Sequence, residues 1–136
     1  MSVVTRKAAL SVGALGESLA QEEYRKDGFE IIASNVFNHT GKQLGEIDFV
    51  AKNEIKLVFV EVKARTDAVD RFGGGAVSVG FAKQRKLLKA VKIFLTNHRE
   101  LNHLQPRIDV CVVVLSKLDK TVKSVTIIPN AVEDTF

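Results

Sequence analysis

The sequence has no tryptophan, one tyrosine, one cysteine and two prolines among its 136 residues. A lone Cys111 cannot close an internal disulfide, and no zinc spacing can be assembled around it. Inside the apolar run Ile108–Leu115 it reads as a small buried side chain. His39, His98 and His103 stand at no metal-ligand spacing, and no Ser–His or Cys–His arrangement offers a covalent nucleophile. No stretch approaches the ~18 consecutive apolar residues of a membrane span, and the N-terminal segment lacks the apolar core of a signal peptide. A cytoplasmic chain with no membrane contact is therefore expected. Thr40-Gly41-Lys42 is no phosphate-binding loop, because Val36 stands where the first glycine belongs and Gln43 replaces Ser/Thr. Gly73–Gly75 lacks a strand–turn–helix context for a dinucleotide.

What is present is an ordinary globular composition, 46% hydrophobic and 26% charged, with enough chain for one core. A single domain over residues 1–136 is expected, with Val132–Phe136 as a frayed tail. The net charge of +4 mildly favours an anionic partner, although 16 acids among 20 bases dilute that signal.

The apolar pattern predicts a helix from Ala8 to about Asp27, closed by Gly28, then a strand over Phe29–Phe37 and a polar turn at Asn38–Gln43. Leu44–Ala51 and Lys56–Ala64 read as a hairpin, and Arg65–Val79 as a loop. A second helix follows over Gly80–Asn97, then strands at Arg107–Leu115 and Val122–Ile128. The order α-β-β-β-α-β-β predicts an α/β protein with one sheet flanked by helices. Ile47, Phe49, Val58, Val60 and Val62 are expected to fill one face of the hairpin.

One feature breaks the apolar pattern. In Val58-Phe59-Val60-Glu61-Val62-Lys63, an acid and an amine two residues apart share a strand face. On the neighbouring strand Glu46 and Asp48 do the same. A turn at Asn53-Glu54 pairs Glu46 with Glu61, and a turn at Glu54-Ile55 pairs Asp48 with Glu61. Either register leaves Asp48 and Glu61 opposite or diagonal, roughly 5–8 Å apart at Cβ. Three carboxylates beside one ammonium repel one another, and a divalent cation with oxygen preference, Mg²⁺ or Mn²⁺, would neutralise them. In the first helix Ala9, Gly13, Gly16, Glu17, Ala20 and Tyr24 form one stripe. Close approach of that stripe to the sheet would carry Glu17 inward, and an exposed Glu17 is the competing reading. Gln84 heads the core-facing stripe Leu87, Leu88, Val91, Phe94 and Leu95 of the second helix, while Arg85, Lys86, Lys89 and Lys92 lie off it.

Gly16-Glu17, Gly45-Glu46-Ile47-Asp48, Phe59–Lys63 and Lys83-Gln84 together resemble the YraN family of small bacterial proteins. That family is similar to restriction-endonuclease-like nucleases with the motif D-x(n)-[DE]-x-K, and to archaeal Holliday junction resolvases. The resemblance runs from about Gly13 to Val110. It implies a three-layer α/β/α core with a mixed central sheet, and a metal-dependent endonuclease acting on branched or repair DNA. In that scheme Asp48, Glu61, Glu17 and the Val62 carbonyl would hold Mg²⁺ or Mn²⁺. Lys63 would orient water or stabilise developing charge, with Gln84 in support. Glu46 belongs to the family signature but not to the general nuclease motif. Arg65, Arg71, Lys83, Arg85 and Lys86 would meet the DNA, and a homodimer is the assembly typical of resolvase-like enzymes. The segment Arg107–Val110 is read as structural. Two other readings stay open: a non-catalytic DNA-binding module of the same fold working with a partner, and a salt-bridge network with no ligand.

Overall fold

The computed structural model describes residues 10–37, 46–67 and 80–132. Its sheet has five strands in the order β1 (Glu30–Phe37), β2 (Glu46–Lys52), β3 (Lys56–Thr66), β4 (Gln105–Leu115) and β5 (Val122–Ile128). Neighbours are antiparallel except β3 and β4, which run parallel and are joined by a crossover containing helix α2 (Phe81–Asn97). Helix α1 (Val12–Lys26) precedes the sheet and covers one face, while α2 covers the other. The three-layer arrangement and element order expected from the sequence are those observed.

Burial explains the layering. β3 reads Leu57-Val58-Phe59-Val60 with all four side chains buried, because each face has a helix over it. Phe49, Ala51, Val58, Val60, Cys111 and Val113 pack with Ala20 and Tyr24 of α1. Val50, Leu57, Phe59, Ile108 and Val110 pack with Leu87, Ala90, Val91 and Phe94 of α2.

Helix α1 begins later than the sequence pattern suggests. Ser11 is the N-cap, its Oγ accepting the Ala14 N–H at 3.0 Å, so Leu10 lies before the helix and the expected start at Ala8 is displaced to Val12. At the other end Gly28 has φ +90°, as expected of a closing glycine. Its N–H reaches Arg25 O and the Phe29 N–H reaches Tyr24 O, both at 3.0 Å, which completes a Schellman cap. The two glycines of the helix differ. A Cβ at Gly16 would stand 2.5 Å from the Ala64 Cβ, so α1 sits on β3 only because that Cβ is missing. Gly13 is exposed and meets nothing but its own cap, contrary to the expectation that it too marks a close approach.

Three further expectations change. Arg65 lies on β3 and not in a loop, because the parallel pairing with β4 continues to Thr66 opposite Leu115. A short 3-10 turn at Arg99–Leu101 precedes β4, which starts at Gln105. Ile47 packs on the α2 side with Val50 and Phe59, not with Phe49 and Val58. The strand alternation breaks between Ile47 and Phe49, where β2 parts from β3. The Asn38–Gln43 turn, most of the Arg65–Val79 segment and the end of the Val132–Phe136 tail lie outside the described residues.

Candidate functional site

The β2–β3 hairpin turns on Glu54-Ile55, the second of the two registers open to the sequence. The Asn53 N–H donates to Lys56 O at 3.1 Å, and Asn53 Oδ1 accepts from the N–H groups of Ile55 and Lys56 at 2.9 and 2.7 Å. This Asx turn sets the pairing from Lys52 opposite Leu57 to Phe49 opposite Val60. In an antiparallel ladder with Asn53 and Lys56 hydrogen-bonded, the N–H of Val62 is due to meet the carbonyl of Ile47. It donates instead to Asp48 Oδ2 at 2.7 Å. The two strands separate at this point, and a side-chain carboxylate satisfies a backbone donor that burial would otherwise strand. Since the N–H and C=O of one residue point to the same neighbouring strand, the Val62 carbonyl is directed to the Asp48 side.

Glu61 and Lys63 share a face of β3, as the strand period requires. The Glu61 side chain is 7% exposed, with Oε2 3.5 Å from Lys63 Nζ. A closer cation comes from α2, where Lys83 Nζ lies 3.0 Å from the same oxygen. The expected DNA-contact group of Lys83, Arg85 and Lys86 is divided by helical geometry. All three are exposed, but Lys83, four residues before the buried Leu87, reaches Glu61 on the sheet, whereas the Arg85 guanidinium lies over the Phe81 ring at 5.3 Å. Gln84 is half-buried and engaged, as is Arg65 on β3. Arg71 lies outside the described residues.

Four carboxylates act on one another here. The half-buried Asp48 has its pKa pushed up to about 6, first by burial. The Val62 N–H opposes that shift, and the charges of Glu61, Glu17 and Glu46 add to it. Glu17, half-buried on α1, is also raised, by burial and then by Glu46. Glu46 itself is exposed. Among the described residues, no three His, Cys, Asp or Glu side chains are grouped closely enough to hold a metal ion by themselves. Two carboxylates and a backbone carbonyl are nevertheless the hard oxygen donors that Mg²⁺ uses when substrate phosphate and water supply the rest. The residues present fit that mode and not an all-protein cage.

A UPF0102 sequence profile, described as Uncharacterised protein family UPF0102, matches residues 16–113. The chain belongs to this family. A UPF0102 protein of Xanthomonas campestris pv. campestris (strain B100) is 45% identical over 98 residues, which is 72% of this chain and 75% of that protein. One from Caldanaerobacter subterraneus subsp. tengcongensis is 34% identical over 121 residues, 89% of this chain and 93% of the relative. Another, from Syntrophotalea carbinolica, is 39% identical over 104 residues, 76% of this chain and 79% of the relative. UPF0102 is the YraN family indicated by the motifs, and its matched span contains Glu17, Asp48, Glu61, Lys63 and Gln84. Its architecture here is consistent with the restriction-endonuclease-like superfamily. No helix among the described residues is long and apolar enough to cross a membrane.

A second charged constellation inside the UPF0102 span escaped sequence reasoning. Asp109 on β4 is fully buried and accepts four hydrogen bonds. Tyr24 Oη donates at 2.7 Å, Arg107 Nε and Nη2 at 2.8 and 2.9 Å, and the Asn130 N–H at 3.2 Å. The available signals were a lone tyrosine on the buried stripe of α1 and an Arg-x-Asp pair on one strand face. The structural reading of Arg107–Val110 agrees with this arrangement.

Proposed function

We propose that this UPF0102 protein is a metal-dependent endonuclease that hydrolyses DNA phosphodiester bonds, with Mg²⁺ or Mn²⁺ held by Asp48, Glu61 and the Val62 carbonyl. One observation carries the reading: Asp48 sits partly desolvated at the point where two strands separate, with the charges of Glu61, Glu17 and Glu46 acting on it. A fold gains nothing in stability from such repulsion, whereas a cation relieves it. The bound cation would lower the pKa of a water and neutralise charge on the scissile phosphate. Lys63 then places its ammonium where negative charge develops on the phosphate oxygens. Glu17 accepts a hydrogen bond from water at the site, and Gln84 orients Lys63 or that water. Arg65, Arg85 and Lys86 meet the flanking DNA backbone, with branched or repair intermediates as the substrate class.

The test is nicking of supercoiled, branched and nicked DNA with Mg²⁺ or Mn²⁺. Asp48→Asn should lower cleavage on the order of 10³-fold or more, since cation-assisted stabilisation is worth several kcal/mol. The folded state should survive, and undiminished cleavage rejects the assignment.

One observation favours a second reading, a DNA-binding module of the same fold. The Glu61 carboxylate has two lysine partners supplied by the protein itself. A binder of this kind would retain DNA in EDTA and leave it uncut in Mn²⁺.

A further inference from the structure

The geometry points to Lys83 as a displaceable partner of Glu61: its ammonium holds the carboxylate in the metal-free protein and gives it up when a divalent cation arrives. This deepens the nuclease reading and rests on it. Glu61 is nearly buried, so its charge needs a counter-charge whenever no cation is present. Lys63 alone is the more distant partner at 3.5 Å, and it is anchored two residues away on the same strand. Lys83 is nearer at 3.0 Å, reaches in from another layer, and keeps 45% of its side chain exposed against 24% for Lys63. A long, half-solvated side chain on the first turn of a helix can swing outward at little conformational cost. Lys63, with 24% of its side chain exposed, has less open solvent to turn into.

Two consequences follow. Divalent cation binding must displace an ion pair, so Lys83 lowers cation affinity in the free protein. Once displaced, the ammonium remains at the edge of the cation site, within reach of a substrate phosphate bound there. Lys83 is thus a positioning residue that trades a carboxylate for a phosphate, tying cation entry to substrate entry.

Calorimetric titration of Mn²⁺ into the wild type, Lys83→Met and Lys83→Arg tests this, with the exposed Lys26→Met as a control of equal charge change. Lys83→Met should bind Mn²⁺ roughly three- to tenfold more tightly, the range expected for removing one partly exposed competing charge. Lys83→Arg should return affinity toward wild type, and Lys26→Met should leave it unchanged. Equal affinity in Lys83→Met and wild type overturns the displacement. Equal tightening in Lys83→Met and Lys26→Met also overturns it, by reducing the effect to net charge. Absence of Mn²⁺ binding in every variant overturns the metal reading itself. A metal-free measurement separates these cases: a urea-denaturation double-mutant cycle between Lys83→Met and Glu61→Gln, in EDTA, should show coupling. Zero coupling removes the ion pair on which the inference stands.

Discussion

Two carboxylate centres lie on the same sheet and are treated in opposite ways. Asp109 is sealed and matched: a bidentate arginine, a tyrosine hydroxyl and a backbone N–H occupy its two oxygens. The guanidinium of Arg107 is in turn held with its own pKa raised, chiefly by its hydrogen bonds to Asp109. Asp48 has one backbone donor, burial and the charges of three other carboxylates acting on it, and its pKa rises. A buried charge with every lone pair satisfied ties elements together. A charge left in excess stores repulsion that a ligand can relieve. Helix α1 spans both centres, carrying Tyr24 to Asp109 and, seven residues earlier on the same side, Glu17 to the Asp48 region.

The comparison is broken most severely at the matched centre. Asp109→Asn leaves the Arg107 guanidinium without its counter-charge, and about 3 kcal/mol of stability should be lost in urea denaturation. Catalysis, if measured below the new midpoint, should fall far less than for Asp48→Asn. A loss confined to activity would mean that Asp109 belongs to the working site.

Next is the helix linking the two centres. Gly16→Ala places a methyl 2.5 Å from the Ala64 Cβ, so α1 must shift or the strand must give way. About 1–3 kcal/mol of destabilisation is expected, with partial recovery on adding Ala64→Gly. Additive effects of the two substitutions would contradict the contact.

Asp48→Asn should sharpen the contrast through pH. The carboxyl has a pKa near 3.9 unfolded and about 6 folded. Between those values the native state binds more protons than the unfolded state. Its contribution to stability is therefore complete below about pH 4 and lost as pH rises through about 6. Wild type should weaken over that window in EDTA, and Asp48→Asn should show a flatter profile. Mn²⁺ should bind more tightly as pH rises through the same range, because the cation needs the ionised form.

The smallest effect belongs to Ser11. Removing its hydroxyl leaves the Ala14 N–H without its cap, and Ser11→Ala should cost about 1 kcal/mol at the Glu17 end of α1. Asp109 should be insensitive to it, which thermal melts of the Ser11→Ala/Asp109→Asn pair would verify as simple additivity.

Some of this was legible in the residues alone. Glu61 and Lys63 had to share a face because strand side chains alternate, and Gly28 had to close a helix because its position calls for a positive φ. The hairpin register was narrowed to two choices, and Asn53 made the selection by accepting from both Ile55 and Lys56. Other features were not legible. Nothing local distinguishes Gly16 from Gly13, since the difference is an Ala64 methyl on a distant strand. Ile47 follows the alternation on paper, yet changes face where β2 leaves β3.

By itself, the sequence determined the element types, the two-sided burial of the central strands and the clustering of acids near one lysine. Those depend on periodicity and local backbone preference, which act over a few residues. Only the tertiary structure decided that Lys83 reaches Glu61, and that Tyr24 meets Asp109 across 85 residues of chain. Such partners are selected by how layers stack and how far a side chain reaches. Burial then sets the strength of each charge, because desolvation is a property of the assembled core and not of any one residue.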